Sequence, residues 1–140
     1  MKRYLLPCAL AVAALTQTAY ASNGELTHLK DLIWQNRIIV ANSEQSSDTL
    51  TELFSQENSG IIDRDVIWFV FSDNEVQTNY QGSVSPSLLS QVKSQYQLRD
   101  NEVILIGKDG GLKERLSGLD LDRLFGDIDR MPMRVREMRE

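Results

Sequence analysis

Six consecutive apolar residues, Val66-Ile67-Trp68-Phe69-Val70-Phe71, constrain this chain more than any other feature. Side chains along a strand alternate between the two faces of its sheet, so a strand with no polar position needs cover on both. The β-branched and aromatic content favours a strand over a helix. Two shorter runs, Ile38-Ile39-Val40-Ala41 and Val103-Ile104-Leu105-Ile106, have the same character. A layered α/β architecture with helices flanking a buried sheet is therefore expected.

The segments between these runs carry helix signals. Leu26, Leu29, Leu32 and Ile33 recur at helical spacing and predict a first helix over residues 26–35. Ser47 is placed to N-cap a second helix reaching Asn58, with Leu50, Leu53 and Phe54 on one face and Gly60 as its C-cap. Ser85-Pro86 opens a third helix whose apolar face is Leu88, Leu89, Val92 and Tyr96. Asp109-Gly110-Gly111 permits a tight turn into a fourth strand over residues 112–116. Asp120 caps a last helix burying Leu121, Leu124, Phe125 and Ile128, which Pro132 stops or kinks. The predicted order is α-β-α-β-α-β-β-α, the thioredoxin-like order, with a central mixed sheet of four or more strands and flanking helices. In the minimal form of that order the 66–71 strand lies at a sheet edge, where exposure invites aggregation. An added segment, residues 72–83 or those before Trp34, is expected to shield it.

The N-terminus has the form of a secretory signal: Lys2 and Arg3, an apolar stretch over residues 5–15, then Ala19-Tyr20-Ala21 as an A-x-A cleavage pattern. Residues 1–21 are expected to be a signal peptide and residues 22–140 a single domain, periplasmic or secreted after bacterial export. The sole cysteine, Cys8, lies inside the apolar stretch, so the mature chain is expected to be cysteine-free and unable to use disulfides. Thirteen basic residues would then face twenty acidic ones, an imbalance unsuited to nucleic acid. No stable membrane insertion is expected after cleavage.

Several segments resemble the family catalogued as domain of unknown function 4174. They are Trp34-x-Asn36-Arg37, Arg64-Asp65, the 105–113 stretch Leu-Ile-Gly-Lys-Asp-Gly-Gly-Leu-Lys, Met131-Pro132-Met133-Arg134, and Glu137-Met138-Arg139. The resemblance covers most of the chain, from about Trp34 to Arg139. It implies a thioredoxin-like, peroxiredoxin-like domain, related to that of coiled-coil domain containing protein 80, in an exported setting, with no established reaction. Redox relatives need a thiolate at the start of the first long helix. The corresponding stretch, Asn42-Ser43-Glu44-Gln45-Ser46-Ser47-Asp48, has none. Leu98 to Val103 also lacks the proline that thioredoxins carry before the third strand.

The function expected is therefore a non-redox binding or interaction module; the alternative is an enzyme on a peroxiredoxin-like scaffold without a catalytic cysteine. No catalytic residue, cofactor or metal is assigned, and the partner is an unknown protein or small molecule. Candidate binding residues are Ser43, Ser46 and Ser47 at the helix entrance, with Arg37 and Arg64 expected nearby in the thioredoxin-like fold. The only histidine, His28, is expected to be solvated. Gly107-Lys108 fails as a P-loop because Glu102 replaces its first glycine. Asp122, Asp127 and Asp129 suit a solvated helix face. The methionines of the tail have thioethers that suit Cu(I), but packing is their commoner role. Met131, Met133 and Met138 are expected to dock the tail on the body, leaving its arginines to face carboxylates or a partner.

Overall fold

The computed structural model describes residues 24–44, 47–73 and 75–140. The expected signal peptide and Ser46 lie outside them. The order is a 3-10 turn at Leu29–Leu32, β1 (Arg37–Asn42), α1 (Ser47–Gln56), α2 (Asn58–Asp63), β2 (Val66–Ser72), β3 (Glu75–Thr78), α3 (Leu88–Tyr96), β4 (Glu102–Ile106), β5 (Leu112–Leu116), α4 (Leu121–Asp129) and α5 (Pro132–Glu137).

The five strands form one mixed sheet in the order β3-β2-β1-β4-β5. β1 runs parallel to β2 and antiparallel to β4, and β4 is antiparallel to β5. That four-strand arrangement is the thioredoxin-like one. β3 is added outside it and pairs antiparallel with β2, from Phe69 opposite Thr78 to Ser72 opposite Glu75. The 66–71 run thus has its edge covered from within residues 72–83. β5 forms the other edge, where Lys113, Glu114 and Arg115 oppose further pairing.

Side chains of the central strands divide by alternation between two cores. Ile38, Val40, Phe69, Phe71, Ile104 and Ile106 pack against Leu26, Leu29, Leu32 and α3 on one face. Ile39, Ala41, Trp68, Val70, Val103 and Leu105 pack against Phe54, Ile61 and α4 on the other. Both faces are covered by apolar side chains, as the continuous apolar runs require.

Three local expectations need correction. The first helix is only a single 3-10 turn: Leu26 instead bridges Val84 in parallel, its N–H donating to Ser83 O at 2.8 Å. Its leucines reach the core without a helix, and Trp34 ends the segment in the left-handed region at φ 70°. Gly60 is no C-cap but an interior residue of α2; a Cβ there would stand 2.8 Å from Phe125 Cε2. The absent side chain lets the Phe125 ring approach, with the Arg64 guanidinium carbon 4.3 Å above it.

The third correction concerns the tail. It does dock and resumes helix as α5, with Pro132 at its first turn, but the docked side chain is Arg134, 6% exposed, while Met138 is 52% exposed. Charge, with Met131 as the apolar contribution, fastens it. Asp127 and Asp129 correspondingly are half-buried partners of arginines, not members of a solvated face. Asp120 does cap α4, accepting from Arg123 N–H at 3.1 Å.

Candidate functional site

The expected candidate residues separate into two groups. Arg37 opens β1 and Ser43 follows its last residue. The strand between them spans roughly 20 Å at the usual rise per residue. The helix entrance and the two arginines are therefore at opposite ends of the sheet.

At the entrance, Ser47 is the first residue of α1 and buried at 5% exposure. Its hydroxyl accepts from Gln77 Nε2 at 3.0 Å, and Thr51 Oγ1 lies 2.8 Å from both Gln77 Oε1 and Ser47 O. This bridge ties α1 to β3. Ser43 donates its backbone N–H to Phe71 O at 2.9 Å, and neighbouring Asn42 reaches Arg99 O and Asp100. Ser46, directly before Ser47, lies outside the described residues. His28 is exposed, with its Nδ1 3.0 Å from Thr27 Oγ1.

At the opposite end, charged residues from five separate segments converge. Arg37, 1% exposed, holds the Glu137 carboxylate with both terminal nitrogens at 3.1 and 3.2 Å and donates to Arg64 O at 3.0 Å. Lys108 Nζ donates to Glu137 at 2.7 Å and to Asp65 at 2.9 Å. Beside them Asp129 accepts from Arg64 and from Arg134, which also pairs with Asp63. Backbone bonds lock the same region: Arg37 N–H to Asp65 O at 2.9 Å and Trp34 N–H to Lys108 O at 2.6 Å. Trp34 itself stands 66% exposed at its margin.

These contacts fix the protonation of the carboxylates. Burial works to raise Glu137, but hydrogen bonds and charge from Arg37 and Lys108 outweigh it and hold the group below its ordinary value. The Arg64 hydrogen bond, aided by Arg134, likewise lowers Asp129 against its partial burial. Groups depressed in the folded state bind protons more readily when unfolded. Their stabilisation is full above the unfolded values, about 4.3 for Glu and 3.9 for Asp, and is lost as pH falls through the folded ones. Urea midpoints should therefore be flat near neutrality and fall below about pH 4.5. Glu137→Gln should flatten part of that acid slope; an unchanged slope would mean that Glu137 carries none of it.

A cleft of about 580 Å³ adjoins this cluster. Arg37, Gly107 and Lys108 line it, as do Met131, Pro132 and Met133. Lys113 and Asp109 pair at 2.9 Å across the hairpin turn at its rim. Its volume and largely apolar wall are those of a small-molecule site. Lys108 faces carboxylates, so the glycine-rich turn serves as a hairpin: Gly110, at φ 80°, donates to Gly107 O at 2.9 Å. Among the described residues no group of three His, Cys, Asp or Glu side chains is placed to hold a metal ion, and no helix is long and apolar enough to cross a membrane.

Sequence reasoning had Arg37 and Arg64 but missed their partners Glu137 and Asp129, and missed Lys108 with its partner Asp65. The available signal was the resemblance itself, because its scattered motifs are the segments that meet here. Comparison with known proteins gives no match to a curated protein or to a solved structure. A family model does match, over residues 28–137, with the description "Domain of unknown function (DUF4174)". Those bounds take in every segment of the charged cluster and the residues lining the cleft, and the chain belongs to that family.

Proposed function

We infer that this protein is an exported, non-redox binding module on a thioredoxin-like scaffold. One observation carries the reading. Where a redox relative needs a thiolate, the entrance of α1 holds Ser47, buried and with its hydroxyl engaged by Gln77. The sole cysteine, Cys8, precedes the domain. The scaffold keeps its shape while the position for thiol chemistry is used to bind α1 to β3. An enzyme using polar residues near the end of β1 is less well supported: the only histidine is His28, bonded to Thr27, and Ser47 has no imidazole beside it. Fold alone does not assign activity.

The test uses protein recovered from a periplasmic extract. Its intact mass should begin at Ser22, it should show no peroxidase or disulfide-reductase turnover above a blank, and it should retain a partner or bound molecule. Retention of Met1 would sink the export reading. Thiol-dependent turnover would sink the binding one.

A further inference from the structure

Glu137 occupies the position of a ligand. Arg37 and Lys108, 1% and 9% exposed, direct three N–H groups at its carboxylate over 2.7 to 3.2 Å. Cations held this way by the fold are already desolvated and oriented, so an arriving anion meets a preorganised site. The present occupant rides on α5, a helix of only six residues whose end leaves Met138 52% exposed. The same two cations line the cleft together with Met131, Pro132 and Met133. The other carboxylates lining the cleft pair with cations of their own, Asp109 with Lys113, Glu114 with Arg123 and Asp127 with Arg130, although the second oxygen of Asp127 is buried without a hydrogen-bond partner. Exchanging Glu137 for another carboxylate would leave the charge balance unchanged and would let an apolar body lie on the methionine wall.

We propose that Arg37 and Lys108 form a binding site for small apolar monocarboxylates, reached through this cleft, and that Glu137 fills it in cis as a displaceable occupant. This rests on the binding-module reading and narrows it to a site and a ligand class. A free amine is repelled by the cations, and a purely polar acid leaves the methionine wall unmatched.

Calorimetric titration of octanoate into the full mature chain tests the assignment, with octanol as the uncharged control. Wild type should bind octanoate weakly, and Glu137→Gln at least tenfold more tightly because the competing charge is gone. Glu137→Asp, which keeps the charge on a shorter stem and perturbs folding less, should fall between them. Met133→Trp, which fills the cleft from its wall, should abolish binding. Octanol should not bind. Absence of saturable binding in wild type and both Glu137 variants would overturn the proposal. So would octanol matching octanoate, Glu137 variants no tighter than wild type, or binding unaffected by Met133→Trp. A partner retained from periplasm despite those failures would leave the general binding reading standing.

Discussion

Glu137→Leu should destabilise the protein by about 3 kcal/mol, because it leaves Arg37 charged and buried without its carboxylate. For a domain of this size that is a fall in Tm of roughly 10 °C. The diagnostic part is the second substitution. A buried ion pair replaced by apolar groups of similar volume is often neutral, whereas one broken by removing a single partner is costly. Arg37→Met added to Glu137→Leu should therefore recover at least half of the loss. Recovery is favoured further because Arg37 Nε is buried without a hydrogen-bond partner and carries an unmet desolvation cost. Urea unfolding of the wild type, both single variants and the double variant measures it. A double variant no more stable than Glu137→Leu would mean that the cost lies in α5 packing and not in the uncompensated charge.

Phe54→Ala should cost about 3–5 kcal/mol, the usual range for truncating a fully buried aromatic residue. Of the α1 residues only Ser47 and Phe54 are fully buried, with Leu50 half-buried against the same core. Phe54 is 0% exposed and stacks on Trp68 with ring centroids 4.6 Å apart and planes within 5°. It therefore sets how firmly α1, and with it the Ser47–Gln77 bridge, is held against the sheet. Phe54→Leu, which keeps most of the volume, should cost less than about 1.5 kcal/mol. Amide exchange in the alanine variant should rise first in α1 and β3. Uniform loss of protection across the sheet would show that α1 is not a separately held element.

The legible parts of the fold were those written in local pattern. The unbroken apolar runs Ile38-Ile39-Val40-Ala41 and Val103-Ile104-Leu105-Ile106 placed two core strands to within a residue, and the hairpin between β4 and β5 followed from its glycines. Leu26 misled because a buried leucine at helical spacing is equally satisfied by a bridge to Val84. Gly60 misled because the need for it comes from Phe125, sixty-five residues later. Grouping Arg37 with Ser43 took nearness in sequence for nearness in space, although an extended strand carries its two ends apart. The charged cluster was least legible: Arg37 and Glu137 are one hundred positions apart, and neither helical nor strand periodicity relates them. In the tail, apolar spacing pointed to the methionines, but Arg134 is the residue taken inside, since Asp63 and Asp129 together supply its partners.

The chain contains just two indoles, and the fold has given them opposite surroundings. Trp68 lies in the apolar core stacked on Phe54, while Trp34 projects into water beside Lys108. Their emission is thereby separable without any label. Iodide quenches the exposed indole selectively and reports the neighbourhood of the cleft, and the blue-shifted remainder reports whether the domain is folded. Unfolding and the proposed binding can thus be sought in one cuvette through two different indoles.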